Sequence, residues 1–415
     1  MENRIKADFE KTFKDSLSDH ELAVREQSLK SFIDDGFPSR RLENWKFSDL
    51  NQIIINNIGE LNFYNNFTKN KNIDNLALIK KFDHNKIIFF NGVVENIDFG
   101  HEDKDQISIS DDYKKEIKFE NNSLLKLNKA FNNNNYLITI KSNYNLNKPL
   151  VIYHLISDEV KSTSINLQLN FLLEKNSSLR IVDIFNNNSQ KNLINIFYNF
   201  DLKQDAILKN YKIDNNKNNN IQYSFNNIEQ DANSVSETFI LSSGSKFLKN
   251  EINCNLKEKF SSAFVNGVFS LSNENQHEIK SKINHLNENT KSYQLIKGVI
   301  NDQSKAVYQG KIYVDSIAQK TDGYQLSKAI LLNDKTEFNA KPELEIYADD
   351  VKCSHGSASG SLNENSIFYL RSRGLSYQEA KNLLIKGFLL DVIEKITDDE
   401  IKNFIKYIMG FTEWI

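Results

Sequence analysis

A mainly β protein with a helical region at each end is what this sequence predicts, and three observations carry the prediction. Helical spacing occupies the first 35 or so residues. Short apolar runs with period-two alternation fill the stretch from about residue 85 to 350, and helical spacing with capping signals returns after residue 362. The chain divides accordingly into an N-terminal helical region at 1–82, a β core at 83–361 and a C-terminal helical region at 362–415.

In the first region Ile5, Phe9, Phe13 and Leu17 recur at four-residue steps, and Leu22, Val24, Leu29, Phe32 and Ile33 continue a mixed face. Gly36, Phe37 and Pro38 break the helix, because proline lacks the amide donor and restricts the residue before it. The segment RRLENWKFSDL, Arg40 to Leu50, then sets Trp45 and Phe47 beside two arginines. It reads either as a surface turn whose aromatics pack under the arginine stems or as an interaction patch.

The clearest strand is the one in which Ile165, Leu167, Leu169 and Phe171 alternate with Asn166, Gln168 and Asn170. Leu179 to Phe185, Leu193 to Phe200, Phe239 to Leu241, Phe264 to Leu271, Val307 to Val314 and Gln325 to Leu332 repeat the texture. No helix-length periodic segment separates these runs, which disfavours a doubly wound α/β sheet. Hairpin markers are scarce: Asn91-Gly92, Asn266-Gly267 and Asp322-Gly323 are the Asn-Gly and Asp-Gly pairs of this stretch, and the chain holds 14 glycines and 3 prolines. Asparagine-rich corners between short strands favour a β-solenoid, whose coils bury their faces against one another, over a sandwich.

The tail is punctuated by Ser376-Tyr377-Gln378-Glu379, a capping box that starts a helix with Ala380, Leu383, Leu384, Phe388, Val392 and Ile396 on its apolar face. Thr397-Asp398-Asp399-Glu400 reads as a second box, opening a helix with Ile401, Phe404, Ile405 and Ile408 inward. Two short helices cannot bury such faces alone, so the stripe is expected to pack on the β core, the commoner case, or on another protein.

Composition narrows the function. A formal net charge of −3, with 39% hydrophobic and 26% charged residues, lacks the basic excess that phosphate backbones demand, so no nucleic-acid partner is expected. The opening MENRIKADFEKTFKDS carries charges throughout, and no apolar run reaches the about 18 residues needed to span a bilayer; the expectation is a cytoplasmic protein with no membrane partner. The two cysteines, Cys254 and Cys353, cannot make a disulfide framework and would remain thiols in a reducing compartment. There is no GxxxxGK[ST], hence no nucleotide site of that kind on this chain, and neither a CxxC pair nor an HExxH.

One stretch invites chemistry. In VKCSHGSASG, residues 351–360, Cys353 and His355 stand two apart, so in an extended segment both project from one face. That arrangement suits iron or zinc ligation better than nucleophilic catalysis, which would need a group to orient the base and an oxyanion pocket; an unreactive cysteine near an imidazole is the other reading. Cys254 alternates with Ile252 and Leu256 and reads as core, and His277 and His285 read as structural hydrogen-bonding residues. The carboxylates Glu343, Glu345, Asp349 and Asp350 read as a solvated face, with a cation or acid-base role as the lesser alternative.

The segment FNAKPELEIYADDVKCSHGSASGSLNENSIFYLRSRGLSYQEAKNLLIKGFLLDVI, Phe338 to Ile393, resembles the signature of the SufB/SufD family of iron-sulfur cluster assembly proteins. KPELEIYADDVKCSHGSASG is similar to its SufD branch, FYLRSRGL, Phe368 to Leu375, to an element both branches share, and RRLENWKFSDL to the N-terminal motif of the family. The resemblance implies a right-handed parallel β-helix core flanked by helical N- and C-terminal regions, in a chain that is not an enzyme. It implies a scaffold that pairs with SufB, binds a SufC ATPase through the C-terminal helical region and takes part in iron acquisition or nascent cluster assembly at the SufB/SufD interface. By the same resemblance His355 is the candidate metal ligand there, with Cys353 close by. An iron-sulfur cluster takes four protein ligands, mostly thiolates, and this chain holds two cysteines, so any iron or nascent cluster would be shared with SufB. The other readings are a β-helix carbohydrate-active lyase and a SufB-like scaffold that forms a self-dimer in isolation.

Overall fold

Each apolar run becomes a strand that hands the chain to the opposite sheet, and the coils so formed stack. The computed structural model describes residues 2–13, 17–63, 78–110, 122–132, 135–185 and 191–412. Helices α1 (Glu2–Phe13), α2 (Asp19–Asp35) and α3 (Leu50–Asn57) come first. They are followed by β1 (Asn85–Phe90), β2 (Val93–Asp98), β3 (Ile107–Ser110) and α4 (Ser123–Phe131). The stacked strands are β4 (Asn135–Ile140), β5 (Leu150–Leu155), β6 (Ser164–Leu173), β7 (Ser178–Phe185), β8 (Leu193–Leu202), β9 (Ile207–Asp214), β10 (Ile221–Gln230), β11 (Val235–Ser242), β12 (Phe247–Leu256), β13 (Ser262–Leu271), β14 (Gln276–His285), β15 (Lys291–Ile300), β16 (Lys305–Val314), β17 (Asp322–Leu331), β18 (Glu337–Ile346) and β19 (Lys352–Gly360). Helices α5 (Glu364–Ser372), α6 (Tyr377–Ile393) and α7 (Asp399–Ile408) close the chain.

The even strands from β4 to β18 lie in one sheet and the odd strands from β5 to β19 in the other, so eight two-strand coils form a parallel β-solenoid. Antiparallel pairs occur where β1 meets β2 and where β3 meets β4. One stacked column runs Leu193, Ile221, Phe247, Gln276, Lys305, Glu337, a repeat of 26 to 32 residues that changes in chemistry as it goes.

The corners explain the asparagines. Asn143, Asn176, Asp205, Asn233 and Asn289 all take positive φ, the left-handed conformation that Asn and Asp tolerate. Successive corners are tied by amide bonds such as Asn176 to Gln204 O and Asp205 to Ala232 O, both 2.9 Å. Inside the even sheet Asn170, Asn199, Asn227 and Asn253 stack in register, with Asn227 Nδ2 donating to Asn199 Oδ1 at 3.1 Å and Asn253 Nδ2 to Asn227 Oδ1 at 2.9 Å. Of the three glycine pairs, only Asn91-Gly92 makes a hairpin turn, with both residues at positive φ. Gly267 sits within β13, where a Cβ would come within 2.8 Å of Ile279 and Ile296.

The solenoid interior is filled by Ile165, Leu167, Leu169, Phe171, Phe200, Ile252, Ile279 and their neighbours. Its two outer faces are covered from opposite ends of the chain. Ile5, Phe9 and Phe13 of α1 pack with Phe131 of α4 over Phe197, Tyr223 and Phe247 of the even sheet. Leu389, Val392 and Ile393 of α6 and Ile401, Phe404 and Ile405 of α7 pack on Tyr153, Tyr211, Phe239 and Val268 of the odd sheet. Of the two expected covers, the tail stripe finds the one within the chain.

Three expectations are corrected. Helix α4 lies inside the stretch read as helix-free; SLLKLNKAF is short enough to pass for a strand run, and its helical state rests on Asn122, which caps Leu124 and Leu125 at 3.1 and 3.3 Å. The second tail helix is capped by Asp398, whose carboxylate accepts from Ile401 N at 3.1 Å, while the Thr397 hydroxyl donates to Glu237 at 2.7 Å. Leu383, expected on the inner face of α6, is exposed.

Candidate functional site at the open end of the solenoid

The coils stop at β18 and β19, which pair with β16 and β17 on one side and, among the described residues, with no strand on the other. In β18 Phe338 and Leu344 face the interior and are half-buried, because no further coil covers them. In β19 Cys353, His355 and Ser357 lie in register with Gly323, Gln325 and Ser327. Gln325 and Ser327 are fully buried in the interior, so period two puts Cys353 and His355 on the inward face of the last strand. Cys353 is half-buried against the cluster of Ile312, Val314, Ala318 and Ala348, and His355 is exposed at the mouth.

Hydrogen bonds across the end hold this strand in place. Gln325 Nε2 donates to Glu343 O at 3.2 Å and Ser327 Oγ to Ser357 Oγ at 3.0 Å. Burial pushes the Cys353 thiol up, the Gly323 amide draws it partly back and Asp322 adds to the rise. The thiol therefore stays protonated near neutrality and must shed a proton to a base or to metal before it can ligate.

Among the described residues no group of three or more His, Cys, Asp or Glu side chains could hold a metal ion. The structure thus brings Cys353 and His355 onto one face and supplies no third donor. The neighbouring carboxylates are engaged elsewhere: Glu343 pairs with Lys341 at 3.3 Å, and Glu345 pairs with Lys311 and accepts from Tyr347 Oη at 2.9 Å.

The residues read as structural are so. Cys254 is fully buried, its thiol donating to Gln230 Oε1 at 3.1 Å and pushed up to about 12 by burial. His277 is held between Ser242 Oγ at 2.8 Å and Ser245 O at 2.6 Å, and His285 between Thr290 Oγ1 and Ser292 Oγ at 2.8 and 2.9 Å. In RRLENWKFSDL the surface-turn reading is corrected at its tryptophan. Trp45 lies over Tyr223 and Phe247 rather than under arginine stems, and Lys249 sits 4.3 Å above its ring. That lysine is fully buried, bonded to Asn44 O and to Glu278 at 2.7 Å each, and Ser48 donates to the same carboxylate. The segment is a strap whose polar groups satisfy a buried ion pair of the solenoid.

Sequence reading missed a second buried ionic cluster. Asp183 accepts from Lys212 at 2.7 Å and Tyr198 at 2.6 Å and meets His154 at 2.7 Å, all inside the early coils. The signal was Lys212 falling in phase with the buried Leu208 of β9.

Helices α5 and α6 expose Phe368 (74%), Tyr369 (57%), Tyr377 (49%) and Leu383 (49%), with Arg373 over the Tyr369 ring at 5.3 Å. No helix among the described residues is long and apolar enough to cross a membrane.

Comparison with known proteins follows the same line. The family model described as SUF system FeS cluster assembly, SufBD core domain, matches residues 155–388, more than half of the chain. The chain is 26% identical over 394 residues to the iron-sulfur cluster assembly protein SufD of Escherichia coli (strain K12), covering 91% of this chain and 90% of that protein. It is 44% identical over 75 residues to the chloroplastic protein ABCI7 of Arabidopsis thaliana, covering 18% of this chain and 16% of that protein. It is 46% identical over 67 residues to an iron-sulfur cluster assembly SufBD family protein of Synechocystis, covering 16% and 15%.

Proposed function

The chain belongs to the SufB/SufD family of iron-sulfur cluster assembly proteins of the SUF system, and from that premise we propose that it is a non-catalytic scaffold subunit that pairs with SufB through the open end of its solenoid. The observation that carries the reading is the position of Cys353 and His355: two donors on the inward face of the last strand, whose outer edge pairs with no strand among the described residues. Two donors make half of a cluster site at most, and a second chain closing the same end would bring the rest. The iron or nascent cluster is the cargo of this site. His355 offers a neutral imidazole nitrogen at the mouth, and Cys353 offers a sulfur one layer in, once deprotonated.

The C-terminal helices carry the second contact of the proposal. Phe368, Tyr369, Tyr377 and Leu383 are the kind of exposed aromatic and aliphatic side chains that seat a partner, and they stand on α5 and α6 rather than on β19. A SufC ATPase docked there would supply the nucleotide chemistry for which this chain has no P-loop.

The test is the His355→Ala variant reconstituted with SufB and SufC under anaerobic conditions, with iron and sulfide counted per complex. The complex is expected to assemble and its loading to fall to background. Loading equal to wild type would remove His355 from the site.

A further inference from the structure

Two polar networks are buried inside the solenoid, and a small cavity lies between them. The first is the cluster of His154, Asp183, Tyr198 and Lys212. The second centres on the corner after β11. There Asp214 accepts from Gly244 N at 3.2 Å, from Ser245 N at 3.0 Å and from Ser245 Oγ at 3.1 Å, and His277 Nε2 donates to Ser245 O at 2.6 Å. The cavity, of about 10 Å³, is lined by Lys212 and Asp214 of β9, Gln222 and Ser224 of β10 and Asn250 of β12, with apolar side chains completing the wall.

Each network reaches this cavity with a hydrogen-bonding group to spare, and the two groups are complementary. Lys212 Nζ donates to Asp183 at 2.7 Å and lies 3.5 Å from the centre of the Tyr198 ring. An ammonium carries three N–H bonds, so one is left over. On the other side the Ser245 hydroxyl gives its proton to Asp214 and therefore accepts from Gln222, which turns Nε2 of that amide toward Ser245. Gln222 Oε1 is the opposite end, buried and without a hydrogen-bond partner among the described residues. A buried acceptor in this state is costly, and so is a buried ammonium short of an acceptor.

We infer that the cavity binds a single water molecule that accepts from Lys212 Nζ and donates to Gln222 Oε1, joining the two networks into one that runs from His154 in β5 to His277 in β14. The volume is at the lower limit for one water, which excludes a larger ligand. A metal cation is disfavoured by the ammonium on the wall. An apolar cavity of this size would stay dry, whereas this one offers the about two to four polar partners that hold a buried water, with Ser224 and Asn250 beside the first two. The ion pair of the early coils and the histidine of a later one then respond as one unit.

The test uses the full chain. A crystal structure at a resolution that shows ordered water is expected to place one in the cavity, within hydrogen-bonding distance of Lys212 Nζ and Gln222 Oε1. A dry cavity, or a water bonded to neither group, overturns the inference. Magnetic relaxation dispersion of the solvent counts long-lived internal waters, and Gln222→Met is expected to hold one fewer than wild type; an unchanged count in the folded variant overturns the inference as well. Coupling across the cavity is read by denaturant unfolding of Lys212→Met, Gln222→Met and the double variant. Their effects on the unfolding constant are expected to depart from a simple product by about fivefold or more. A simple product means two separate networks and overturns the joining. If a variant does not fold, the wild-type crystal structure decides.

Discussion

The solenoid is finished at its first coil and unfinished at its last. At the first, β1 and β4 take short antiparallel neighbours, β2 and β3, which blunt the sheets, and α4 packs on β6 and β8 nearby in the stack. At the last, β18 and β19 run ten and nine residues with a free edge each, among the described residues. The two cysteines mark the contrast: Cys254 lies sealed in the covered middle and Cys353 half-open at the end. Long free edges are a hazard that natural proteins usually cover, so leaving a pair of them at one end fits a face meant for another chain.

The same chemistry should therefore have different weight in the two regions. Lys249→Ala leaves Glu278 buried without its cation and strips the strap of its anchor; a loss of about 3–5 kcal/mol in denaturant unfolding is expected. Lys305→Ala, removing an equivalent pair at the open end, should cost under about 1 kcal/mol, because Glu337 is returned to water. Equal losses would erase the distinction between the regions.

Thiol chemistry sharpens it next. Cys353 should react with a maleimide in the folded chain, slowed relative to a free thiol because burial raises its pKa, and faster as pH rises. Cys254, fully buried and pushed up to about 12, should wait for unfolding and react at least about a hundredfold more slowly. Mass spectrometry of the alkylated peptides separates the two.

The covered coils should also be the acid-sensitive part. Burial lowers His277 and takes His285 down to about 3, so both are neutral in the folded chain at pH values where the unfolded chain binds their protons. Stability from a depressed histidine is present above its unfolded value near 6.5 and is lost as pH falls toward the folded value. For His285 this amounts to about 2 kcal/mol between pH 7 and 5, read from denaturant midpoints. Asp214, raised by burial, works in the opposite direction over its own range.

Much of this was legible in the residues. Alternation located β6, β7, β8, β13 and β16 because their inward positions are apolar, and it paired Cys353 with His355 because the segment is a strand. Where strands bury ions it had less to work with: FLKNEINCNL and QHEIKSKINH are β12 and β14, and their Lys249 and Glu278 are buried by a strap more than 200 positions away. The coil period escaped because it drifts between 26 and 32 residues. That Cys353 and His355 stand at an uncovered end is a property of the whole stack, visible only once the last coil has no successor.

Metal-donor chemistry is proposed for the open end and not for the sealed middle. Counting iron and sulfide on the complex reconstituted with SufB and SufC, for His355→Ala beside Cys254→Ala, tests it most directly. Background loading is expected for His355→Ala and wild-type loading for Cys254→Ala. Full loading by His355→Ala, or its loss in Cys254→Ala with the fold intact, would contradict it.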